Sequence, residues 1–231
     1  MSARRHRKNR RSTTRTPTSL PQRHAQLRPM VATEAVEREA DGYHEAGHVT
    51  MTLCLGGTIN AEGVEIDERQ YCRVHFVYPR GDSVKREFFQ VLPDMAGWRA
   101  EHLHHGLGTP RSDRKSAELE YIIWAVRDEA SRHPDDEIED GDDFNVIREM
   151  LLHNPDATDE ELCVRYERYS EVCYALLRDS TIQTANAAVA RALLKAGRLN
   201  FADVLGAIGG SADTLKEAAQ RVMDQVGDPR D

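Results

Sequence analysis

Two histidines four residues apart inside one largely apolar stretch set the tightest limit on what this chain can become. The stretch Gly42-Tyr-His-Glu-Ala-Gly-His-Val-Thr-Met-Thr-Leu-Cys-Leu-Gly56 places His44, Glu45 and His48 in the H-E-x-x-H spacing. On an α-helix each residue advances by about 100°, so the two imidazoles stand one turn apart on nearly the same face and can reach a single ion. Glu45 falls to one side of the pair, where its carboxylate can take a proton from a water activated by that ion without being a ligand itself. Neutral imidazoles are borderline-soft donors that suit zinc, and a catalytic zinc site usually has three protein ligands and one open position. The bare spacing also arises by chance on solvated surface helices, but the neighbours argue for burial. Ala46 and Gly47 keep bulk away from the ion, and a glycine inside a helix costs about 1 kcal/mol that something must offset. Val49, Met51, Leu53, Cys54 and Leu55 make the flank apolar.

His44-Glu-Ala-Gly-His48 resembles the zinc helix of the peptidase domain of FtsH-type membrane proteases, whose motif reads in the same five letters. The resemblance extends over residues 31–231 and implies a zincin-like metallopeptidase domain, with zinc as the cofactor and Glu45 as the catalytic base. Ala96-Gly-Trp-Arg-Ala-Glu-His102 is similar to the family's Gly-Gly-Arg-x-Ala-Glu-Glu segment: Gly97, Ala100 and Glu101 match, while Trp98 and His102 do not. In the family this helix packs beside the zinc helix, and small residues there would allow close approach. The third family ligand is an aspartate opening a downstream helix. Asp143, directly before Phe144, is the preferred candidate, with Asp142 and Asp113 as alternatives. A carboxylate at a helix N-terminus is favoured whatever its role, so position alone does not choose between them. The order of residues from Tyr169 to Val204 resembles the family's C-terminal helices, which follow the aspartate helix closely, and this favours Asp143 over Asp113.

The remaining chain predicts a mainly α fold with a small β-hairpin or short sheet. Helical periodicity starts at Thr33, with an interruption at Asp41-Gly42. Alternation at Val64 and Ile66, and again from Cys72 to Tyr78, predicts two strands joined around 67–70. Pro93 is expected to kink or divide the following helix. Residues 107–142 depart most from the family and look like an insertion ending in an acidic loop. Helical stripes then run through Leu162–Leu177, Ile182–Leu193, Val204–Ile208 and Leu215–Val226, with Asn200 as a cap.

Charge divides the chain unevenly. Residues 1–30 carry nine of the 31 Lys and Arg and no acid, so the other 22 face all 39 Asp and Glu, a net charge of about −17. The first segment is expected to be a disordered basic tail that could contact nucleic acid; the acidic body could not serve as a nucleic-acid platform. Four cysteines without a C-x-x-C pair suggest reduced thiols in the cytoplasm. Neither a membrane span nor a phosphate-binding loop is evident. The resemblance therefore implies a zinc-dependent endopeptidase acting on flexible or unfolded protein, as a homo-oligomer or with a separate ATPase partner. The alternative is a catalytically silent metal-binding adaptor of the same fold.

Overall fold

The computed structural model describes residues 34–60, 63–66, 83–107, 115–129 and 141–227. The basic segment 1–30, the expected strand at 72–78, Asp113 and the acidic run up to residue 140 lie outside the described residues. In chain order the elements are α1 (Glu34–Cys54), β1 (Val64–Glu65), α2 (Ser83–His104), α3 (Lys115–Glu129), α4 (Asp142–His153), α5 (Asp159–Arg178), α6 (Ser180–Ala196), β2 (Arg198–Leu199), α7 (Phe201–Ala207) and α8 (Asp213–Val226). Among the described residues the fold is mainly helical with one two-stranded antiparallel sheet.

The helix α1 is the central element, packed against α2, α6 and α8. Its second half is inaccessible nearly all round: Val49, Met51 and Leu53 are fully buried, and so are Thr50 and Thr52. Each such large aliphatic side chain contributes roughly 1.5–3 kcal/mol on leaving water. Thr52 meets the cost of its buried hydroxyl inside the helix, donating to the His48 carbonyl at 2.7 Å. The expected break at Asp41-Gly42 does not occur, and α1 continues through it. Gly42 instead serves packing, because a Cβ there would lie 2.8 Å from Leu194 Cγ on α6. Gly47 does the same toward α2, where a Cβ would come within 2.6 Å of the Ala96 carbonyl oxygen and 2.8 Å of Ala100 Cβ. Small residues at 47, 96 and 100 thus bring α1 and α2 close enough to share side chains.

Pro93 lies inside α2 without dividing it. In the helix α3, Leu119, Ile122, Ile123 and Val126 join the common core, and the helix packs on α4 and α5. A buried Glu87 links α2 to α5, accepting from Arg165 and, at 3.2 Å, from the Tyr169 hydroxyl. Among the described residues three helix starts carry side-chain caps: Thr158 with Glu161 on α5, Asp179 on α6, and Asn200 with Asp203 on α7. The expected cap Asn200 therefore takes its place, and each such cap contributes about 1 kcal/mol.

The expected short sheet is present among the described residues, while the strand expected at 72–78 lies outside them. The described partner of β1 is β2, with Val64 opposite Leu199 and Glu65 opposite Arg198. A two-residue strand following the C-terminal Gly197 of α6 is too short to leave a period in the sequence.

Candidate metal centre

The close α1–α2 contact determines what His44 and His48 face. Their rings are 4.8 Å apart between centroids and inclined at 72°. His48 Nδ1 lies 2.8 Å from the Pro93 carbonyl, which can only accept, so Nδ1 carries the proton and Nε2 is left with its lone pair toward the site. His44 presents Nδ1 to Glu101 Oε2 at 3.7 Å and Nε2 to Asp142 Oδ2 at 3.4 Å. His48 Nε2 is 3.8 Å from the same Asp142 oxygen. One ligand atom from each of His44, His48 and Asp142 lies within 4.8 Å of the other two, and this group could hold a metal ion.

Asp142, not Asp143, is the aspartate that the structure brings to the histidines. Asp142 is the first residue of α4 and Asp143 the second, so their side chains leave the axis about 100° apart. Asp143 points to the other side of the turn. Its Oδ1 accepts from the Tyr166 hydroxyl at 2.5 Å and from Trp98 Nε1 at 3.4 Å, and Arg99 Nη1 stands 3.7 Å away. The preference for Asp143 rested on the apolar residue that follows it, but Phe144 reports the buried face of α4, and the site lies at the seam with α2. The polar spacing Asp142, Glu149, His153 on α4 opposite Glu87, Gln90, Asp94 and Glu101 on α2 was the available signal.

Three features fit this donor set to a cation. The first is the pair of buried oxygens without a hydrogen bond, Asp142 Oδ2 and Glu45 Oε2, a costly arrangement in a folded protein unless something else meets them. The second is charge. Burial works against a charged His44, yet the Glu101, Asp142 and Glu45 carboxylates outweigh it and raise its pKa. Burial likewise raises the Glu45 pKa, against the pull of His48 and His44. Three carboxylates, Glu45, Asp142 and Glu101, thus act on His44, a setting that suits a divalent ion. The third is space: a Cβ on Gly97 would lie 2.4 Å from His48 Nε2 and 2.7 Å from His44 Nε2, so the volume between the two donors exists because residue 97 has no side chain.

Of the expected residues, His44, Glu45 and His48 lie together on α1, and Gly97 and Glu101 face them from α2. The exposed His104 and His105 do not join the site; His104 stacks on Tyr43 at 3.5 Å between ring centroids and bonds Glu39. Sequence reasoning missed the Pro93 carbonyl as a partner of His48, giving the residue only a role in kinking or dividing the helix. It also missed Arg99, fully buried with Met95, Tyr166 and Ser170 as partners. Among the described residues no helix is long and apolar enough to cross a membrane. Comparison of the chain with models of protein families, with curated proteins and with solved structures finds no match in any of the three.

Proposed function

We propose that the chain is a metal-dependent hydrolase, and more particularly a zinc metalloendopeptidase of the zincin-like, FtsH-type kind, in which His44, His48 and Asp142 hold the ion and Glu45 is the catalytic base. The observation that carries this reading is the convergence of His44 Nε2, His48 Nε2 and Asp142 Oδ2 beside an unbonded, buried Glu45 Oε2. Zinc bound there supplies a Lewis acid, which favours attack of water on a peptide carbonyl. Glu45 accepts the proton of the attacking water on its carboxylate and delivers it to the departing amine nitrogen. Burial raises the Glu45 pKa, which favours its holding the proton between the two halves of that transfer. Pro93 and Glu101 keep the two imidazoles facing inward. The substrate would be a flexible or unfolded protein segment, which needs no unfolding before it enters.

Zinc analysis together with casein cleavage tests the reading. It requires one zinc per chain, lost in His44→Ala and in Asp142→Ala, and cleavage abolished in Glu45→Gln with the zinc retained. Wild-type protein that keeps its zinc but cleaves no unfolded substrate would leave a non-catalytic metal-binding module in its place.

A further inference from the structure

We propose that Asp143 is a positioning residue for the metal centre: held by Tyr166, Trp98 and Arg99, it locks the first turn of α4 so that its neighbour Asp142 faces the two histidines. The inference rests on the metal reading above and assigns a role to residues outside the ligand set.

The N-cap of α4 is Gly141, which makes no side-chain cap and has φ of 146°, a backbone conformation that favours glycine. The two carboxylates of the first turn meet different surroundings. Asp142 Oδ2 has no hydrogen bond, whereas Asp143 Oδ1 receives the 2.5 Å bond from Tyr166 and the 3.4 Å bond from Trp98. Behind them Arg99 is fully buried. It donates to the Met95 carbonyl at 2.8 Å, to Ser170 Oγ at 3.2 Å and to the Tyr166 hydroxyl at 3.1 Å. Its guanidinium also lies 4.3 Å from the centre of the Trp98 ring.

The hydrogen bonds have one consistent direction: Arg99 donates to the Tyr166 oxygen, and Tyr166 donates onward to Asp143. Trp98 and Arg99 directly follow Gly97, so the clamp ties α4 to the same turn of α2 that leaves room between the histidine nitrogens. A shift of the first turn by a fraction of its radius would move Asp142 out of reach of His44 and His48, and metal sites typically lose 10–100-fold in affinity when such outer partners are removed.

The test is zinc affinity by competition with a chromophoric chelator, and the visible absorption spectrum of the cobalt(II)-substituted protein, for wild type, Tyr166→Phe, Asp143→Ala and Asp143→Asn. Tyr166→Phe keeps the ring and deletes the hydroxyl. The proposal expects it to weaken zinc about 10-fold or more and to change the cobalt spectrum, while the near-ultraviolet circular dichroism stays native. Asp143→Ala should do at least as much, and Asp143→Asn, which keeps an acceptor for Tyr166, should recover part of the loss. Native-like Tyr166→Phe with wild-type zinc affinity and an unchanged cobalt spectrum overturns the proposal, whatever Asp143→Ala does. So does zinc loss that occurs only together with loss of the fold. Wild-type protein that binds no stoichiometric zinc overturns the metal reading itself, a result distinct from the first because it appears before any variant is made.

Discussion

Replacing Gly97 by alanine should separate the fold of this protein from the proposed metal centre. The added Cβ would lie 2.4 Å from His48 Nε2 and 2.7 Å from His44 Nε2, inside the 3.0 Å that Cβ atoms essentially never breach. Two effects act on the metal-free protein. Alanine in a helix interior is favoured over glycine by about 1 kcal/mol, while overpacking typically costs about 1–3 kcal/mol. The imidazoles are side-chain ends that can swing away, so the net change should be a loss of roughly 0–2 kcal/mol. The metal-bound state has no such escape. The methyl group occupies the space between both donor nitrogens, and rings that have swung away no longer share an ion. Zinc affinity should fall by roughly 100-fold or more, equivalent to about 2.7 kcal/mol. Urea unfolding in chelator gives the first number and zinc competition titration the second. Gly97→Ala that binds zinc as tightly as wild type would refute the placement of the ion between His44 and His48.

Gly47→Ala should behave in the opposite way, because its Cβ would meet the Ala96 carbonyl oxygen at 2.6 Å, and backbone cannot swing aside. A stability loss of about 1–3 kcal/mol should appear in chelator-treated protein, measured as a fall in the urea midpoint. Glu45→Gln should lower peptide cleavage by about 100-fold or more while zinc content, read by metal analysis, stays at the wild-type level. Burial pushes the Asp94 carboxyl from 3.8 up to about 7, with Asp142 and Glu149 adding to the effect and His48 opposing it. The folded state therefore holds the proton more tightly than the unfolded chain, and the stability this contributes is present below pH 3.8 and lost as pH rises through about 7. Metal-free Asp94→Asn should accordingly exceed wild type at pH 8 by up to about 4 kcal/mol, with the gap closing toward pH 4; an equal gap at both values would show that Asp94 does not titrate in this range.

How far the sequence revealed this arrangement depended on the kind of signal involved. The helix carrying His44, Glu45 and His48 was legible because its apolar flank and its small residues make sense only in a buried helix. The stripes of α5 and α6 were legible from their 3.6-residue period, and Asn200 from the chemistry of a cap. Pro93 and Gly42 misled because local propensity treats both as breakers, whereas here Gly42 accommodates Leu194 and Pro93 supplies a carbonyl to His48. Tertiary packing outweighed propensity at both positions. The choice between Asp142 and Asp143 turned on a difference of about 100° around an axis whose orientation no local pattern gives. The pairing of β1 with β2 joins residues more than a hundred positions apart, and a two-residue strand has no periodicity from which to infer a partner.

The residue spacing on α2 explains why the motif on α1 is necessary to the site without being sufficient. Pro93, Gly97 and Glu101 follow one another at intervals of four, which puts them on one stripe of the helix. Each acts on a different part of the histidine pair. The Pro93 carbonyl fixes the His48 tautomer, Gly97 leaves the volume between the two Nε2 atoms, and Glu101 faces His44 Nδ1. The next two residues after Gly97 meet Asp143, and in the proposed centre they would thereby position the third donor. A helix with the same H-E-x-x-H letters facing a leucine at position 97 would leave its imidazoles no room for a shared ion. Transplanting the α1 motif alone into another buried helix should therefore give no metal site, whereas restoring a glycine and two acceptors at this spacing on the facing helix should create the histidine half of one.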